Sequence, residues 1–129
     1  MGIGGPQDEG EEARRGPRVR VDLPATVGGR YARTARVVDL SLVGCLVRSE
    51  SALDAGAVVN LRIELPDGPL EAKARVAGVS IDGDSLPGPA RQFLAGLEIL
   101  ALAAAAELRL RAFLEQESKR RRGAHTPPR

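Results

Sequence analysis

Two short patterns hold the side chains with the most chemistry to offer. Arg14-x-x-x-Arg18 lies in "RRGPRVRVDLPATV", directly before a run that alternates apolar and polar. Asp39-x-Ser41-x-x-Gly44 lies in "VVDLSLVGCLV". Positive charge packed against the start of a strand is either a solvated tail or one half of a ligand grip, and an arginine run taken alone favours the tail. Asp, Ser and Gly together favour a tight turn whatever else they do. Cys45 reads as a small buried hydrophobe, because no histidine stands ready to activate it. His125 is the only histidine and has no second His or Cys at ligand spacing, so no metal site is expected. No nucleophile, base and orienter form a set, so the chain does not read as an enzyme.

The elements that would carry these residues fit one domain, since 129 residues suffice for a single core and hardly for two. With two Phe, one Tyr and no Trp, that core must be aliphatic. The net charge of +2 hides segregation: Asp8, Glu9, Glu11 and Glu12 come first, then Arg14, Arg15, Arg18 and Arg20, and finally Lys119 to Arg122. A single cysteine excludes an intramolecular disulfide and fits a reducing compartment, with the cytoplasm as the default. The opening "MGIGGPQDEGEE" is acidic and lacks an apolar centre, so it reads as a disordered lead over 1–13 rather than a secretory signal. The run "FLAGLEILALAAAAEL" is broken by Gly96, Glu98 and Glu107 and falls short of a membrane span.

Val19, Val21 and Leu23 alternate with Arg20 and Asp22, which predicts a first strand. After a turn at Gly28 and Gly29, "ARTARVVDL" and "GCLVRS" read as the second and third. "AVVNLRIEL" places Val59, Leu61, Ile63 and Leu65 on one face, and "PDG" turns it into "LEAKARVAGVSI". "DGDSLPGPA" must be a loop, and "RQFLAGLEIL" supplies a sixth strand. The fold class is mostly β, a six-stranded antiparallel barrel. From about Leu102 to Glu117 the period becomes helical, with Leu102, Ala106, Leu110, Phe113 and Leu114 on the apolar face and Glu107, Arg109, Arg111 and Glu115 opposite. The domain is expected over 14–118, followed by a disordered basic tail over 119–129. Lys119 to Arg122 reads as a charged helix end.

The two patterns, in this order and in these strand contexts, resemble the PilZ domain, a bacterial receptor module for cyclic di-GMP. The resemblance runs from about Arg14 to Glu117 and includes "VRVDLPATV", "DLSLVG", "LAGLEIL" and the closing "LRAFL". It implies a PilZ-type barrel with a C-terminal helix and a cyclic di-GMP site formed by Arg14, Arg18, Asp39, Ser41 and Gly44. The ligand offers two phosphates and two guanines, and arginine's planar fork can pair with phosphate or with guanine O6 and N7, or stack on the base. Asp39 would accept from guanine N1 and N2 or hold an arginine. Ser41 would serve as a small donor and acceptor, and Gly44 would allow close approach or a positive φ. Ala13 stands where many relatives carry another arginine, which favours one bound ligand over two. Ala103 stands where relatives often place a helix cap.

The expected function is therefore a cyclic di-GMP receptor that needs no cofactor and signals to a downstream protein partner, with neither membrane nor nucleic acid involved. An adaptor of the same fold that ignores the nucleotide is the alternative, and the intact motif argues against it. A nucleic-acid-binding barrel would want aromatic platforms, and only Tyr31, Phe93 and Phe113 are present. The arm bearing Arg14 and Arg18 lacks apolar periodicity, so it is expected to be mobile when empty and ordered over bound ligand.

Overall fold

The computed structural model describes residues 17–29, 31–83, 88 and 91–124, with backbone alone for 122–124. The expected lead 1–13, Arg14 and His125 lie outside the described residues. Six strands appear in chain order, β1 (Val19–Gly28), β2 (Ala32–Leu40), β3 (Gly44–Ser49), β4 (Val58–Leu65), β5 (Gly68–Ile81) and β6 (Phe93–Leu102), and helix α1 (Ala104–Ala124) follows. They form a closed barrel in the order β1-β2-β3-β6-β5-β4, with β4 pairing back onto β1. Every neighbouring pair is antiparallel.

Alternation dictates what the barrel encloses. Ala25 and Val27 of β1, Val37 of β2, Val47 of β3, Leu61 and Ile63 of β4, Ala74 and Val76 of β5, and Ala95 and Leu97 of β6 all point inward and are buried. None is aromatic, as the composition requires, so the interior is filled by short branched side chains. The β4–β5 hairpin closes at Pro66 and Asp67, with Leu65 paired to Gly68. Gly68 adopts φ +131, a region that a side chain would strain, which explains why the "PDG" signal works.

Helix α1 lays most of the expected face on the core, with Leu110 and Leu114 wholly buried and Ala106 and Phe113 packed around them, but Leu102, expected to open the helix, is instead the last residue of β6. Ala103 precedes the first turn, which therefore has no side-chain cap there. Two further features differ from the sequence reading. Arg109 is not a free solvent-facing charge, because its Nε and Nη2 donate to the Asp67 carboxylate at 3.2 and 2.9 Å. It also donates to the Pro69 and Gly68 carbonyls at 2.8 and 2.9 Å, pinning the helix to the β4–β5 turn. Second, α1 does not stop at Glu117 but runs on to Ala124 through the basic run. Lys and Arg are good helix formers, Arg120 pairs with Glu117 at 2.8 Å, and cations suit a helix C-terminus. Arg121 donates to the carbonyl of Arg20, so the basic end of the helix holds the root of β1.

The Arg109 contact carries a pH signature. Hydrogen bonding from the guanidinium holds the Asp67 carboxyl below its ordinary 3.8. A depressed carboxylate stabilises the fold above its unfolded pKa, and that contribution is lost as pH falls through the lower folded value. Asp67→Asn is thus expected to be less stable than the parent at neutral pH, with the difference closing well below pH 3.8. Denaturant titrations at several pH values check this; a constant difference across the range would show that Asp67 acts through something other than its charge.

Candidate functional site

The β2–β3 connection explains why Asp39, Ser41 and Gly44 keep their spacing. Asp39 is still in β2, paired with Leu46, and a register shift lies between Val37 and Asp39. The Ser41 amide donates to the Gly44 carbonyl at 2.9 Å, which closes the turn. The Ser41 hydroxyl donates to the same carbonyl at 3.1 Å and accepts from the amides of Val43 and Gly44 at 3.3 and 3.2 Å. Its single hydrogen and both lone pairs are therefore engaged inside the turn. With Ser41 only 5% exposed, its part is to shape the turn that carries Gly44. The Val43 carbonyl then accepts from the Ile99 amide at 2.9 Å, tying the turn to β6.

Gly44 has a reason that the motif does not reveal. It is not among the positive-φ glycines; instead, a Cβ built on it would lie 2.5 Å from the Leu97 carbonyl oxygen of β6. The contact is backbone to backbone, so neither partner can swing away. Gly44→Ala is expected to part β3 from β6 and lower stability by about 1–3 kcal/mol, the usual cost of overpacking. Chemical denaturation would measure it, and an unchanged midpoint would mean that the strands separate freely.

Arg18, just before β1, reaches across to Asp39: its Nε lies 3.7 Å from Oδ1, beyond hydrogen-bond length. The Arg18 side chain is 62% exposed and that of Asp39 30%. They meet at a hollow of ≈ 340 Å³ on the outer wall of the barrel, whose lining includes Gly44, Leu46, Gly96 and Glu98. Of the expected site residues, the fold thus brings Arg18, Asp39 and Gly44 to one hollow, with Ser41 beneath the turn, while Arg14 and the neighbouring Arg15 lie outside the described residues.

Cys45 points inward at the next position and its thiol is pushed up to about 12, first by burial and then by the Asp39 charge. It stays protonated and inert. Among the described residues, no group of His, Cys, Asp or Glu could hold a metal ion, and no helix is long and apolar enough to cross a membrane.

The sequence reading missed the far wall of the hollow. Glu98 of β6 stands opposite Gly44 on β3 and opposite Arg75 on β5. Arg75 donates from Nε and Nη2 to Glu98 Oε1 at 3.3 and 3.0 Å. Alternation within "LAGLEIL" marks Glu98 as outward, but only the β3–β6 pairing brings it to Gly44. A larger depression of ≈ 710 Å³ lies elsewhere, lined by Thr26, Asn60, Arg62, Glu71, Lys73 and Ala101 among others. Its arginine is already committed to Glu64 and Glu71, so size alone does not make it the better site.

Comparison with known proteins agrees with the fold. The family model described as PilZ domain matches residues 12–116. Among solved structures, the PilZ domain of YcgR from Escherichia coli, determined with c-di-GMP, superposes with a TM-score of 0.69 at 16% identity, covering 88% of this chain and 97% of that one. MrkH from K. pneumonia gives 0.71 at 14% identity over 84% of this chain and 50% of its own. The Bacillus subtilis inhibitor of motility, MotI/DgrA, gives 0.67 at 19% identity over 80% of this chain and 49% of its own. This chain thus spans about half the length of the last two. No curated protein matches it in sequence.

Proposed function

The chain belongs to the PilZ domain family, and from that premise we propose that it is a cytoplasmic receptor for cyclic di-GMP that passes the signal to a protein partner without catalysing a reaction. One observation carries the reading: Arg18 and Asp39 face each other 3.7 Å apart at the rim of an open hollow floored by Gly44. A pair that loose gives up little when a ligand enters between its members. The ligand's phosphates and guanine O6 and N7 are acceptors suited to Arg14 and Arg18, while its guanine N1–H and N2–H groups suit Asp39. Ser41 acts beneath them by holding the turn that presents Gly44.

Signalling follows from where the arginines sit. Both precede β1, whose root is held by Arg121 of α1, so ligand that draws Arg14 and Arg18 over the hollow also acts on the chain next to the helix end. The arm from about Arg14 onward orders on binding, gaining charge-assisted partners that offset its loss of freedom. The acidic lead from Asp8 to Glu12 competes with phosphate for the same arginines.

Calorimetric titration of the purified chain tests the reading. Cyclic di-GMP is expected to bind with one molecule per chain, and GTP and cyclic di-AMP to compete poorly. Hydrogen exchange of amides 14–20 is expected to slow on binding. No heat with cyclic di-GMP would leave an adaptor that ignores the nucleotide; equal exchange in both states would remove the arm as the switch.

A further inference from the structure

We infer that Glu98, positioned by Arg75, is a second base-reading carboxylate of this hollow and selects guanine; the inference rests on the receptor reading above. Glu98 projects from the outer face of β6 into the same hollow as Asp39. Its cross-strand neighbour on β3 is Gly44, which has no side chain, and the next outward position on β6 is Gly96, where an added Cβ would meet nothing within 4 Å. The position directly across from Glu98 on β3 is therefore open, and Leu46, two residues on, is the β3 side chain that shares the floor with the ligand.

A carboxylate is an odd lining for a site that takes a dianion, unless it meets hydrogen-bond donors. Arg75 meets the first half of that condition. Both of its bonds fall on Oε1, which offsets the charge and fixes the carboxylate, while among the described residues no hydrogen bond reaches Oε2. An acceptor-only group held in this way suits the N1–H and N2–H donors of guanine. The same edge of adenine presents the N1 lone pair, which the carboxylate would repel.

Spacing separates the two carboxylates into different tasks. Asp39 pairs with Leu46, and Glu98 with Gly44, two residues earlier in β3. Two strand spacings sideways and two residues along put their Cα atoms about 12 Å apart, too far to share one base edge. One cyclic dinucleotide has two identical bases, and the hollow has two carboxylates, Asp39 for one and Glu98 for the other. This arrangement fits the single ligand per chain that Ala13 implies.

The test titrates the full chain and its Glu98→Gln, Arg75→Ala and Arg75→Lys variants with cyclic di-GMP and with cyclic di-IMP, whose bases lack the N2 amino group. The parent should prefer the guanine ligand. Glu98→Gln should weaken cyclic di-GMP by about tenfold or more and reduce that preference, since cyclic di-IMP loses one bond fewer. Arg75→Ala should reduce the preference in the same direction, and Arg75→Lys should restore part of it. Both side chains are about half exposed, so melting temperatures should stay close to the parent's. If the parent binds, Arg18→Ala weakens binding and Glu98→Gln leaves affinity and preference unchanged, this inference alone fails. If the parent does not bind cyclic di-GMP, the receptor reading fails and the inference falls with it.

Discussion

Replacing Arg18 or Asp39 with alanine is expected to weaken cyclic di-GMP binding by about 10- to 150-fold, the effect of losing one hydrogen bond to a charged group, worth about 1.5–3 kcal/mol. The fold should be almost untouched. Arg18 is 62% exposed, and its 3.7 Å contact with Asp39 is an open ion pair rather than a hydrogen bond, of the kind that contributes about 0–1 kcal/mol. Binding loss and thermal stability should therefore separate cleanly in these two variants, whereas Gly44→Ala should lower both. Titration calorimetry beside thermal melts reads the distinction. Full affinity in Arg18→Ala would remove this arginine from the site, and loss of affinity that follows loss of structure in Asp39→Ala would reduce Asp39 to a turn residue.

The second large effect concerns the helix. Leu114→Ala should destabilise the chain by about 2–5 kcal/mol, because a buried leucine leaves a cavity that the surrounding barrel cannot close. Leu114 is fully buried alongside Leu110, and its neighbours include the strand residues of the barrel core. For a chain of this size such a loss lowers the melting temperature by roughly 6–20 °C. Leu108 provides the control on the same helix, since it is 69% exposed and its replacement by alanine should change little. Equal melting of Leu114→Ala and the parent would mean that α1 is an appendage rather than part of the core.

Much of this was legible because it is local. The strands over "ARTARVVDL" and "GCLVRS" came out with the bounds that their pattern predicts, and the helix buried most of the face that its period marks. What stayed hidden depends on contacts between distant segments. Glu98 figured in the sequence only as a charge that breaks an apolar run, and its place at the hollow depends on β6 lying beside β3. Arg109 looked solvated until the β4–β5 turn was found under it. The motif glycine suggested a positive φ or close ligand approach, yet its tightest constraint is the Leu97 carbonyl, 53 positions away in the chain. The basic run looked like the start of a tail because proline and charge follow it; its arginines are helical, and one of them reaches β1. Cutting the chain after Lys119 therefore removes a tertiary contact and not merely a solvated end.

Because β4 returns to β1, every strand has a hydrogen-bonded neighbour on both sides. The pairing is shorter than the strands, however: β1 meets β4 only from Ala25 to Gly28, and β5 meets β4 only from Gly68 to Arg75. Closure thus removes the open edge strand, the feature through which foreign strands and neighbouring copies most readily extend a sheet, and leaves only the short one-sided ends of β1 and β5 in that role.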